Sequence, residues 1–109
     1  MFRRKYSEEV YQGCQTREFE FGVFDSNGEL IDISSDYTCK IIADGIDRPV
    51  TDMSGDYVFT FRLTAAEVAS MTVGCQDVWV IIENSVLAEP TRTKYRIDLN
   101  VLEDEVADE

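Results

Sequence analysis

Residues Glu18 to Ile33 read EFEFGVFDSNGELIDI, two runs of alternating apolar residues joined by Asp25-Ser26-Asn27-Gly28. Alternation with a period of two marks strands, and an Asn-Gly step between such runs marks a hairpin. The register follows from asking which pairing keeps the apolar residues of both runs on one side. A two-residue turn at Asn27-Gly28 sets Phe24 against Ile31 but Val23 against Asp32, so the apolar faces disagree. A three-residue loop, Ser26-Asn27-Gly28 with Gly28 left-handed, sets Val23 against Ile31 and Phe21 against Ile33. This second register is expected, with Phe19, Phe21, Val23, Ile31 and Ile33 toward a core and Phe24, Leu30, Gly22 and Asp32 on the other face. Gly22 stands out, because glycine inside a strand often marks a bulge or the close approach of another backbone.

Beyond the hairpin, strand signals recur between turn clusters. Ser34-Ser35-Asp36 is a turn, and Tyr37 to Ala43, YTCKIIA, is rich in β-formers. Asp44-Gly45 and Arg48-Pro49 punctuate a loop in which Pro49 and Val50 fit a brief edge segment. After a turn at Asp52 to Gly55, Asp56 to Leu63 alternates, with Tyr57, Phe59, Phe61 and Leu63 on one face. Thr64-Ala65-Ala66-Glu67 is a capping box, which opens a helix of about two turns whose apolar side is Ala65, Val68, Ala69 and Met71. Between Gln76 and Glu83 the run DVWVII is apolar at both parities, the pattern of a central strand covered on both faces, with Trp79 as a core anchor. Lys94 to Leu102 alternates again, placing Tyr95, Ile97, Leu99 and Val101 on one face. Six or seven short strands and one capped helical turn predict an all-β fold, a single antiparallel β-sandwich of immunoglobulin-like character, with a small barrel as the alternative.

One domain fits in 109 residues, and a chain of this size buries roughly 65% of its unfolded surface. With 44% hydrophobic and 29% charged residues the composition is that of a globular protein and too apolar for a disordered one. The expected organisation is an N-terminal arm over 1–14, a β-sandwich over 15–102 and an acidic tail over 103–109. No apolar run approaches the ~20 residues of a membrane helix, and Met1-Phe2-Arg3-Arg4-Lys5 leads into polar sequence rather than a signal-peptide core. No membrane partner is expected.

The net charge is −12, and the tail, EDEVADE, is its most acidic segment. Nucleic-acid binding is disfavoured, because phosphate contacts need a basic patch and only Arg3, Arg4 and Lys5 form one in sequence. Such acidity fits plain solubility; it fits also a nucleic-acid mimic or a partner for a basic surface.

Chemistry is hard to find. The three cysteines, Cys14, Cys39 and Cys75, include no CxxC pair, and the chain has no histidine to serve as base or ligand. Cys39 alternates with Tyr37 and Ile41 as a small core residue would. Asp25, Asp32 and Asp36 lie near one turn, where turn roles account for them. Counting an EF-hand from Asp25 puts Leu30 at the position that requires glycine and Asp36 at the one that requires glutamate. A P-loop, a GxGxxG and a GxSxG are all lacking. No enzymatic activity and no cofactor or metal are expected.

Two stretches carry more apolar residues than solvated segments need. In the first 14 residues these are Phe2, Tyr6, Val10 and Tyr11, and Arg3 and Arg4 add charge. This segment fits an extended arm or a short helix from Ser7, packed on its own domain or on a neighbour, or a frayed end. The second is Val86-Leu87-Ala88 in the loop before the last strand. Phe2, Arg3, Arg4, Tyr6, Val10, Tyr11, Val86 and Leu87 are the candidate partner-binding residues.

The order of features also resembles a known family. Phe19-Glu20-Phe21, then Asp25-Ser26-Asn27-Gly28-Glu29-Leu30-Ile31-Asp32-Ile33-Ser34, then Tyr37-Thr38-Cys39-Lys40-Ile41, is similar to the N-terminal domain of tailed-phage baseplate upper proteins and to related head- and tail-fibre β-sandwich modules. In that family a strand leads into a D-x-x-G turn, a (V/I)-D-(L/I)-(S/T) segment and a Y-x-(A/C)-x-(I/L) strand. Leu63-Thr64, Gly74 and Gln76 to Ile82 continue the order, although Cys75-Gln76 stand where the family usually places an aromatic. The resemblance covers about residues 16–102. It implies a virion structural protein, synthesised in the host cytoplasm, that docks to other virion proteins of the capsid, tail or fibre and associates into a homo-oligomer. Those domains commonly precede long fibre regions, so a module ending at Glu109 is expected to be a decoration, head-fibre base or connector subunit. The competing expectations are a small acidic intracellular inhibitor or nucleic-acid mimic of a host protein, and a carbohydrate-binding module built on Trp79 and the tyrosines.

Overall fold

The computed structural model describes residues 6–84 and 91–103. In it the loop closes in the three-residue register. The Asp25 N–H donates to the Glu29 carbonyl at 2.8 Å, the Gly28 N–H to Asp25 at 3.0 Å and the Ile31 N–H to Val23 at 3.0 Å. Gly28 is left-handed, at φ 82°. The Asp25 carboxylate holds the loop by accepting the N–H groups of Asn27 and Glu29 at 2.8 and 3.0 Å. The faces also fall as expected: Phe19, Phe21 and Ile33 are buried, Val23 and Ile31 pack against the core, and Phe24 and Leu30 are exposed.

The ladder, however, stops at the Phe24–Leu30 bridge. Phe21 pairs with Phe59 instead of Ile33, and the Ile33 N–H donates to the Asp56 carbonyl at 2.8 Å. The two arms diverge to different neighbours where a third segment enters between them. Gly22 is what admits it, since a Cβ there would lie 2.6 Å from the Tyr57 carbonyl oxygen. The close backbone approach expected at this glycine is present.

Eight strands and one helix follow in the order β1 (Tyr6–Tyr11), β2 (Phe19–Phe21), β3 (Tyr37–Ala43), β4 (Ile46–Val50), β5 (Met53–Ser54), β6 (Val58–Phe61), α1 (Ala65–Ser70), β7 (Gly74–Asn84) and β8 (Thr91–Leu102). They form a five-stranded sheet in the order β1-β8-β7-β3-β4 and a three-stranded sheet in the order β2-β6-β5. The expectation of an antiparallel fold throughout is corrected at one place. β1 runs parallel to β8, with Tyr6 opposite Ile97 and Val10 opposite Val101, so the larger sheet is mixed. Much of the segment expected as an arm is therefore an edge strand of the domain. Its seam continues past β1, where the Gln12 N–H donates to the Leu102 carbonyl at 2.9 Å and the Gln12 side chain to the Met71 carbonyl at 3.1 Å. Asp44-Gly45, expected in a loop, is a two-residue turn that joins β3 and β4 as a hairpin, with Ala43 opposite Ile46.

The inner face of the five-stranded sheet and the three-stranded sheet share one core, which includes Ile41, Val80, Ile82, Leu99 and Val101 from the former and Phe19, Phe21, Phe59 and Phe61 from the latter. Tyr95 spans the layers. Its ring lies 5.2 Å from that of Phe21, and its hydroxyl donates to the Gly22 carbonyl at 2.6 Å. Thr16 clips the segment before β2 to the end of β6: its N–H donates to the Leu63 carbonyl at 3.1 Å, and its hydroxyl accepts the Leu63 N–H at 3.0 Å.

α1 begins with the expected capping box. The Thr64 hydroxyl accepts the Glu67 N–H at 3.1 Å and the Glu67 carboxylate accepts the Thr64 N–H at 2.9 Å. Of its expected apolar side only Val68, with Met71 at the C-cap, is buried; Ala65 and Ala69 are exposed. The same carboxylate takes a two-pronged contact from Arg48 of β4 at 2.7 and 3.0 Å, and Arg48 also donates to the Arg62 carbonyl at 3.0 Å. One side chain thus ties β4, the end of β6 and the helix start together.

Candidate docking surface

Strand parity sorts the residues of β7 and β8. Val78, Val80 and Ile82 of β7 and Ile97, Leu99 and Val101 of β8 enter the core. Asp77, Trp79, Ile81 and Glu83, with Lys94, Arg96 and Asp98, take the opposite face. Among the described elements, the three-stranded sheet and α1 both supply buried residues to the inner core. Trp79 is consequently 39% exposed, which corrects the expectation of a core anchor in a strand covered on both sides.

Register assembles the outer face row by row. Ile81 stands between Lys40 of β3 and Lys94 of β8, and Trp79 between Ile42 and Arg96. One pair further along the strands, Asp77 faces Asp98, and beyond them Glu9 of β1 is opposite Asn100. Ile81, between the two lysines, is 7% exposed. Arg92 pairs with Glu83 at 3.2 Å and Arg96 with Asp98 at 3.1 Å. Among the described residues, neither Lys40 nor Lys94 takes part in an ion pair. Four of the chain's ten basic residues thus gather around an apolar centre on one sheet face.

Asp25, Asp32 and Cys39, three of the groups weighed for chemistry, have structural roles. The Asp32 carboxylate accepts the hydroxyl and N–H of Ser34, which hold it below the usual carboxylate range. Asp25 holds its loop, as described. Cys39 is buried, and loss of hydration pushes its thiol up to about 12, so it is protonated at neutral pH and is no nucleophile. Cys14 and Cys75 are free and exposed. Arg48 lowers the Glu67 carboxylate, a second consequence of the link between β4 and α1.

Of the residues expected to bind a partner, Tyr11 is exposed at the end of β1, Tyr6 opens that strand, and Val10 is buried against the core. Phe2, Arg3, Arg4, Val86 and Leu87 lie outside the described residues. The Trp79 face was missed because its cations are dispersed in sequence: Lys40 and Lys94 become neighbours of one isoleucine only through strand pairing. Compared with protein-family models and with curated proteins, the chain matches none.

Proposed function

We propose that the protein is a docking module that acts through protein–protein contacts, with the outer face of the five-stranded sheet as its contact surface. The observation that carries this reading is Trp79, 39% exposed between Ile42 and Arg96, with Lys40 and Lys94, without ion pairs among the described residues, one row away. A large aromatic at the centre of a flat face, ringed by polar groups, is the anatomy of an interface core and rim. Of the groups weighed for catalysis, Asp25 and Asp32 are bound into turns and Cys39 is buried, which suits a binding part.

Taken with the resemblance of residues 16–102 to baseplate and fibre modules, the reading becomes a structural protein of a tailed-phage virion, an adaptor, decoration or connector subunit. The test is co-purification with intact particles at a fixed copy number, and loss of that incorporation in Trp79→Ala. Recovery only from the cytosol of infected cells would overturn the virion role and favour an acidic inhibitor of a host protein.

A further inference from the structure

Resting on the reading of this face as the docking surface, we propose that its occupant is a second copy of the chain, set face to face about a two-fold axis that crosses the strands at the level of Trp79. The face is polar along its strands. To one side of the Trp79 row lie Lys40 and Lys94, without ion pairs among the described residues; to the other lies the like-charged pair Asp77 and Asp98. Directly opposed like charges destabilise a sheet, and Arg96 relieves only one member of this pair, at 3.1 Å from Asp98.

A two-fold axis across the strands exchanges the two sides. Lys94 then lies over the partner's Asp98, and Trp79 meets the partner's Trp79. Along β8 each copy thus supplies acid where the other is basic, as an isologous interface requires, and Arg96, which lies in the axis row, is neutralised by its own Asp98. A nucleic acid would meet the same lysines and tryptophan, but its phosphates would also lie across Asp77 and Asp98 on a chain of net charge −12. Size agrees as well. Five strands at a spacing of ~4.8 Å and ~3.4 Å per residue present on the order of 700 Å² per copy, near the ~800 Å² per partner of a stable interface.

The test is a charge swap read by sedimentation equilibrium of the full chain. The native protein is expected to pass from monomer to dimer with concentration, less readily in high salt. Lys40→Glu with Lys94→Glu makes this face acidic on both sides, and Asp77→Lys with Asp98→Lys makes it basic on both. Each double variant, shown folded by circular dichroism, should lose self-association by at least about tenfold, and mixing the two should restore a one-to-one dimer. Trp79 is the chain's single tryptophan, so its emission should shift to the blue as the native protein dimerises, a readout that needs no variant. A native monomer at every concentration, double variants that dimerise as well as the native chain, or a mixture that fails to pair would each overturn the proposal. A native monomer that still needs Trp79 for incorporation into particles would overturn self-association and leave the docking reading in place; a dimer that never enters particles would do the reverse.

Discussion

Tyr95 and Trp79 sit one residue out of step on paired strands, for Trp79 is opposite Arg96 and Tyr95 opposite Val80. That single step of parity sends Tyr95 between the sheets, where its ring meets Phe21 and its hydroxyl finds the Gly22 carbonyl. It sends Trp79 to the opposite face, where it is 39% exposed. The same division separates adjacent isoleucines of β7: Ile82 is in the core cluster, and Ile81 lies outside it between two lysines. In a sheet with one packed face, aromatic character does not decide burial. Parity decides which side chains join the core, and an aromatic of the wrong parity is a resource for binding.

The contrast can be broken hardest from inside. Ile82→Ala, at a side chain 1% exposed, should cost about 3 kcal/mol in denaturant unfolding through lost burial and the cavity left behind. Gly22→Ala pushes a methyl against the Tyr57 carbonyl, and the resulting backbone shift should cost about 2 kcal/mol. Glu67→Gln removes the charged partner of Arg48 and weakens the helix cap, at a cost of about 1 kcal/mol near neutral pH. Because the folded-state pKa of Glu67 is depressed, its contribution is fully present above the ordinary glutamate pKa and is lost as pH falls through the lowered folded value. The difference between native and Glu67→Gln melting temperatures should therefore shrink in acid. Trp79→Ala should have the smallest effect on stability, below about 1 kcal/mol, while abolishing attachment to the partner. Equal destabilisation by Trp79→Ala and Ile82→Ala would erase the distinction between the two faces.

Where alternation was clean, much of the sequence could be read to the residue, although Tyr57, expected on one face with Phe59 and Phe61, is exposed while they are buried. The register of the loop at Ser26-Asn27-Gly28, the inward set Tyr95, Ile97, Leu99 and Val101, and the capping box at Thr64 and Glu67 were all visible because local chemistry specifies them. The side taken by Trp79 was not, because DVWVII is apolar at both parities and offers no contrast from which to choose a face. β4 was visible only in part, at Pro49 and Val50, since Ile46, Asp47 and Arg48 read as a loop and strand geometry there comes from pairing with β3. β1 was hidden for a similar reason. Val10 is the core residue it contributes, and its partner is the last strand of the sequence. As for the candidate site, its tryptophan was noticed and its lysines were not, because they meet only across three strands.

The parallel seam between β1 and β8 also has a consequence for how the chain folds. β8 follows β7 closely in sequence, but β1 has no strand to join until β8, the last of the described strands, is in place. β1 and its partner are separated by most of the domain, a long-range closure of the kind that slows folding. Until that closure Val10 has no core to enter, and the edge of β8 that it will cover remains open to other strands. The step most exposed to mispairing is thus the joining of β1 to β8.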